Sequence, residues 1–328
     1  MRITTVLFAV FALGCKGGDD GDKAKDTDVK DDGCPTEIVE FHPADADGAV
    51  YYRTAIEFTL VDGDGSESIT VIGPGGDLAG TSSIVEGKVV FTPSTPLESS
   101  SQYTVTLDWC TGPTTTTWTT SEVGAAVDGP ALINSTFTLD LQSGRFIDPP
   151  GIGDLIQQSI PSDLSILIGV MDVVDNDIWM MGALGLGDDT QDVCQPSIDF
   201  PVAADFTENP YFIVGPDEIE LELEGILVKI EDLMISGAFG PEGAYLAGAA
   251  LAGEIDSRGL SELIGATGDD DAICDLAITF GVTCTPCSSD SEPYCMTVFV
   301  DSIDADGVPG VTLVTVEQED VDGNIDCD

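Results

Sequence analysis

Gln102-Tyr103-Thr104-Val105-Thr106-Leu107-Asp108-Trp109 alternates without a break. Tyr103, Val105, Leu107 and Trp109 point to one side of an extended chain; Thr104, Thr106 and Asp108 point to the other. That period of two belongs to a half-buried strand, whereas a helix of period 3.6 would scatter both sets around its surface. Similar stretches flank it. Ala55–Leu60 sets Ile56, Phe58 and Leu60 on one face, and Ser68–Ile72 does the same with Ile69 and Val71. Lys88–Thr92 reads KVVFT, and Thr114–Thr120 (TTTTWTT) reads as a β-branched polar edge strand. Short strands at this spacing, with turn residues between them, predict a β-sandwich from about Cys34 to Glu122.

The sequence around these strands has a recognisable order. His42-Pro43-Ala44-Asp45-Ala46-Asp47-Gly48 opens the unit, and Val89-Val90-Phe91-Thr92-Pro93 leads to Pro96-Leu97. Gln102 to Leu107 and Trp118-Thr119-Thr120 close it. This resembles the bacterial Ig-like domain of S-layer proteins of the SbsA type. The resemblance implies an Ig-like sandwich that acts as a spacer or presentation module at a cell surface. Cys34 and Cys110 depart from that pattern. They stand at opposite ends of the unit, and we expect them to form a disulfide.

Residues 123–130 read as a linker, and residues 131–328 as a second, larger domain. Phe137, Leu139 and Leu141 alternate. Leu164–Val174 and Ile178–Leu186 are apolar runs separated by Asp175-Asn176-Asp177, which predicts a hairpin. Glu218–Glu224 alternates Glu with Ile219, Leu221 and Leu223. Leu233–Phe239 and Tyr245–Ile255 flank Gly240-Pro241-Glu242-Gly243, a second hairpin. An antiparallel meander with one wet, acidic face follows. A short helix is expected at 151–159. Another starts near Asp269–Asp271, where Ile273, Leu276, Ala277 and Phe280 fall at helical spacing. Val298–Asp301 and Val311–Val316 read as the last strands. The predicted fold is mainly β: an Ig-like sandwich followed by a larger antiparallel β domain with one or two short helices.

The N-terminus supplies an address. Arg2 precedes an apolar run from Ile3 to Leu13, broken by Thr4 and Thr5 and followed by Gly14 and Cys15. The run is too short to span a bilayer, which needs ~20 apolar residues, and has the form of a secretory signal, residues 1–14. Ala12-Leu13-Gly14-Cys15 resembles the lipobox of bacterial lipoproteins. The resemblance implies cleavage before Cys15, lipidation of that cysteine, and a place in the cell envelope as an outer-membrane lipoprotein. Residues 15–33 then form a tether. From Lys16 to Gly33 it holds seven Asp, four Lys, four Gly and one apolar residue larger than Ala, Val29. It cannot bury enough surface to offset ordering.

Charge and cysteine count limit the function. The chain has 60 acidic residues against 10 Lys+Arg. Such a surface repels nucleic acid, so nucleic-acid partners are excluded; contact with the membrane is expected through the N-terminal lipid. Besides Cys15 there are eight cysteines: Cys34, Cys110, Cys194, Cys274, Cys284, Cys287, Cys295 and Cys327. An even number in an exported chain reads as four disulfides, with Cys327 paired to Cys194. Cys284-Thr285-Pro286-Cys287 has zinc-knuckle spacing, but after export oxidation is expected to prevail.

Catalytic chemistry has little support. The chain has one histidine, His42, and no nucleophile elbow, P-loop or dinucleotide fingerprint. No catalytic residue and no obligatory cofactor are expected. Three Asp-rich stretches are candidate calcium loops: Asp62 and Asp64; Asp304 and Asp306 with Asp301; Asp320 and Asp322. None fits the EF-hand spacing. The reading is a non-enzymatic, lipid-anchored envelope protein whose second domain binds an envelope protein or a glycan. The alternative is a glycan hydrolase using paired carboxylates in residues 131–328. A third idea, an apolar-ligand carrier, rests on the runs from Leu164 to Leu186 and requires an enclosed cavity.

Overall fold

The structure is a computed structural model. It describes residues 34–328 apart from 64, 86, 150–152, 154–156, 158–163, 188, 224–225, 326 and 328. The signal, Cys15 and the tether lie outside the described residues. Of the helix expected at 151–159, only Gly153 and Gln157 lie within them. Residues 35–328 form one compact unit.

Two four-stranded antiparallel sheets come first. Their strands are β1 (Glu37–His42), β2 (Ile56–Val61), β3 (Ser68–Gly73), β4 (Gly76–Asp77), β5 (Gly80–Val85), β6 (Lys88–Pro93), β7 (Gln102–Asp108) and β8 (Thr114–Thr119). One sheet has the order β1-β2-β6-β5 and the other β4-β3-β7-β8. Alternation decides what goes inside. Ile56, Phe58 and Leu60, Ile69 and Val71, Val89 and Phe91, and Tyr103, Val105 and Leu107 meet in one core with Trp118. Tyr103 and Trp118 stack with ring centroids 4.9 Å apart. The sequence pattern misses β1 and β5, the two edges of one sheet. In β1 a bulge between Ile38 and Glu40 breaks the period and leaves Val39 exposed. In β5 every residue is exposed, so no burial pattern exists to be read.

The second region is a closed barrel of eight strands. They are β9 (Thr136–Asp140), β11 (Ser165–Val174), β12 (Asp177–Gly185), β14 (Ala204–Asp205), β15 (Tyr211–Leu223), β16 (Ile226–Phe239), β17 (Tyr245–Asp256) and β18 (Cys295–Gly307). Two short strands lie off this ring. β10 (Arg145–Asp148) pairs with β18, and β13 (Ile198–Asp199) pairs with β12. The expected meander is present as β15-β16-β17-β18. Pairing of β18 with β9 closes the ring, and this step leaves no mark in local sequence. Both expected hairpins form, one turning at Asp175 with φ 56° and the other through a short 3₁₀ turn at Pro241–Gly243.

An eight-stranded barrel is just wide enough to be filled by its own side chains. Here Phe239 stands among Phe137, Phe206 and Phe212, with centroids 5.2–5.7 Å away. Ile168, Val170, Ile178, Met180, Val298 and Val300 complete the filling. The apolar runs of β11 and β12 are therefore two-sided strands, and the interior that a carrier would leave empty is packed. The outer faces of Leu167, Met181 and Ala183 are covered by Leu313. Val311–Val316, expected as a strand, makes no strand pairing. Instead the Gln191 side chain bonds Val314 N and O, and Ser197 bonds Val316.

The helix predicted from Asp269 onward is α1 (Ala272–Ile278). Ala277 and Ile273 pack on Val282 and Met296. Leu276 and Phe280 do not join them and are exposed, because a helix this short has only one turn seated against the barrel. The chain ends with α2 (Gln318–Gly323).

The first region packs on the outside of the barrel. Its core includes Ala238 of β16 and touches Tyr245 and Ala247 of β17. The ring of Tyr51 lies on Gly248, where a Cβ would come within 2.4 Å of the ring; φ there is +55°. Glycine at this position lets the two regions close.

Candidate functional site

A groove of about 760 Å³ runs where the two-sheet region meets the barrel. One wall is the segment from His42 to Ala55 that connects β1 to β2. The floor is the outer face of β15 to β18, including Tyr211, Ser236, Tyr245, Gly248, Ala250 and Phe299. Outward positions on these strands are small over β16 and β17, which keeps the floor low. Asp47, Asp304 and Asp306 stand exposed along it.

Ion pairs cross this junction and fix its shape. Arg145 of β10 donates from Nε and Nη2 to both oxygens of Asp301 of β18, at 3.0 and 2.8 Å. Its Nη1 lies 3.6 Å from Glu57 of β2, which also pairs with Lys88 of β6 at 3.2 Å. At the other end Arg53 pairs with Glu208 and covers the ring of Tyr211 at 4.0 Å. Burial, aided by the Arg145 charge, holds His42 below its ordinary value. His42 Nε2 and Thr54 Oγ1 share a hydrogen bond at 3.1 Å, and Thr54 Oγ1 also lies within hydrogen-bond reach of Ala55 O. Burial pushes the Tyr51 hydroxyl up, and its oxygen has no hydrogen-bond partner among the described residues.

A second polar cluster lies at the end of β16 and β17. Glu231 is fully buried. It accepts hydrogen bonds from Ser288 Oγ at 2.8 Å, Ser289 N at 2.9 Å and Ser289 Oγ, and Lys229 Nζ lies 3.2 Å away. Burial pushes this carboxyl up, but the serine donors and Lys229 outweigh it and hold it down to about 2. Beside it Arg258 links Asp256 to Asp290. The cluster fastens the 284–295 loop to the barrel.

The cysteines pair as Cys194–Cys327, Cys274–Cys284 and Cys287–Cys295. Cys34 and Cys110 are each in disulfide linkage. These bonds are consistent with an extracytoplasmic protein. Glu231, Cys287 and Cys295 form the one group of three metal-ligating side chains that converges among the described residues, and both sulfurs are engaged in a disulfide.

The three Asp-rich stretches lie in different settings. Asp304 and Asp306 lie within β18, held in register by β9 and β17, and Asp301 is the partner of Arg145. Asp320 and Asp322 lie in α2, where Asp320 caps the Glu317 N–H and Asp322 accepts from Gln318. The helix forms because Glu317 and Asp320 make a reciprocal capping box, so these carboxylates turn inward to their own chain. Asp62 sits in a tight turn at φ 55°, and Asp64 lies outside the described residues.

Glycoside hydrolysis needs one carboxyl raised enough to donate a proton. Among the described residues, the carboxyls displaced from their ordinary values, Asp205, Glu231 and Asp290, are displaced downward. Sequence reasoning singled out Asp304 and Asp306 but missed Tyr51, Ser236 and Phe299, whose meeting depends on how the two regions pack. The chain matches no protein-family model and no curated protein.

Proposed function

We propose that this is an exported, non-enzymatic envelope protein, held to the outer membrane by lipid on Cys15 and binding a partner in the groove between its two regions. The two sheets of residues 37–119 are read as the Ig-like sandwich that the sequence resembles. The observation that carries the reading is the groove itself: about 760 Å³, lined by Tyr51, Tyr245 and Phe299 among polar groups, in a protein whose barrel is filled. Cross-junction ion pairs make the sandwich one wall of the site rather than a separate spacer.

Two measurements test it. Cys15→Ser should move the protein from the membrane to the soluble fraction or block its processing; unchanged fractionation and migration overturn the anchor. A photo-crosslinking residue at Ser236 in the groove floor should give a discrete envelope adduct in cells, and one at Thr81 on the exposed edge of β5 should not. Equal labelling from both positions, or none from Ser236, overturns the groove.

A further inference from the structure

We propose that the groove takes an extended, lysine- or arginine-bearing segment of a partner protein. This rests on the groove being the binding surface. The argument begins with where the cations are. Residues 34–328 contain five, Arg53, Lys88, Arg145, Lys229 and Arg258, and each is paired to carboxylates of the same chain. Of the four carboxylates that line the groove, Asp301 holds Arg145, and none of these pairs includes the other three, Asp47, Asp304 and Asp306. The one lining cation, Arg53, is neutralised by Glu208, so the groove keeps a net negative lining, and a cleft with an excess of one charge draws the opposite charge into it.

Spacing adds a second argument. Asp304 and Asp306 face outward from β18, with Ala305 buried between them. Alternate outward positions on a strand are roughly 6.6 Å apart, and an extended peptide presents one face of side chains at the same repeat. The floor beneath is low, formed by Ser236, Gly248 and Ala250. Tyr245 and Phe299 offer ring surface to the aliphatic stems, a use in which long basic side chains keep their charge at the rim. β18 is paired on both sides, so the segment lies across the face of the sheet and does not add to its edge. An anionic ligand would be repelled. A neutral sugar would draw nothing from the shared two-residue repeat of charge.

The test uses the full-length protein in a non-ionic detergent and a fluorescein-labelled peptide of alternating lysine and alanine. The peptide should bind, and its lysine-acetylated form should not. Asp47→Asn/Asp304→Asn/Asp306→Asn should weaken binding by roughly tenfold or more. A control triple, Asp77→Asn/Asp108→Asn/Asp275→Asn, removes the same charge from exposed sites elsewhere and should change binding by less than about twofold. Unchanged melting of both triples shows that folding is intact. Equal loss in the two triples, binding of the acetylated peptide, or displacement by a neutral oligosaccharide overturns the proposal. A crosslink from Ser236 that persists in the groove triple overturns it too while leaving the groove as the binding surface. Loss of the Ser236 crosslink in the otherwise unaltered protein removes both.

Discussion

Replacing Glu231 with glutamine should destabilise the protein by about 3 kcal/mol at pH 7, and the cost should fade in acid. The carboxyl is held to about 2 in the folded state, against an ordinary value of 4.5. At ~1.4 kcal/mol per pKa unit, that difference is worth about 3 kcal/mol. The sign follows from the direction. A depressed carboxyl contributes its full stability above the unfolded value and loses it as pH falls toward the folded one. The window therefore runs from about pH 5 down to about pH 2. Glutamine keeps the shape but removes the charge that faces Lys229, and it replaces one acceptor oxygen by an NH₂ group, so a hydroxyl that now donates to Glu231, Ser288 Oγ or Ser289 Oγ, must turn to accept. Urea unfolding of both proteins at several pH values isolates the term, because the other carboxylates contribute equally to each and cancel in the difference. A gap below about 1 kcal/mol at pH 7, or one that stays constant down to pH 2, would refute the reasoning.

Further expectations follow from other parts of the fold. Leu313→Ala empties the contact against Leu167, Met181 and Ala183 and should cost about 2–4 kcal/mol in the same assay. Opening the Cys194–Cys327 bond, which spans 133 residues, should remove up to about 5 kcal/mol and speed hydrogen exchange at Val314 and Val316. Non-reducing peptide mapping should join Cys34 to Cys110, and a free thiol at either position would contradict the assignment. Melting temperature should rise between low salt and about 1 M NaCl as repulsion is screened, with no separate calcium step reversed by chelator.

What could be read in advance was whatever is written locally. The strands around Tyr103 and Phe58 were legible because one face is buried and the other wet. The hairpin at Asp175 was legible because turn residues separate two apolar runs. The edge strands β1 and β5 were not, since β5 buries nothing and β1 carries a bulge, whereas the edge strand β8 was legible from its β-branched run. The helix at Ala272 was located, but its buried face was misjudged: period predicts that apolar residues share a side, not that a neighbour covers them. Barrel closure pairs β9 with β18, strands more than 150 residues apart, and no periodicity reports such a contact. The groove is harder still, because its residues come from six separate segments brought together by tertiary contacts: Tyr51 on Gly248, the packing of Ala238, Tyr245 and Ala247 on the first core, and the ion pairs of Arg145 and Arg53.

Those ion pairs bear on why so acidic a chain keeps any basic residues. Residues 34–328 hold 53 acidic residues and five basic ones. If the basic residues served solubility or balance, they would be scattered over the surface. Instead Arg53, Lys88 and Arg145 sit where the two-sheet region meets the barrel, and Lys229 and Arg258 sit where the disulfide-bonded loop meets it. Every cation is at a joint. Partly buried pairs are screened less by salt than exposed charges are. The same rise in ionic strength that relieves surface repulsion therefore leaves the joints largely intact. The groove shares both properties: its walls are held by cations that are already engaged, and Asp47, Asp304 and Asp306 stand along it outside those pairs.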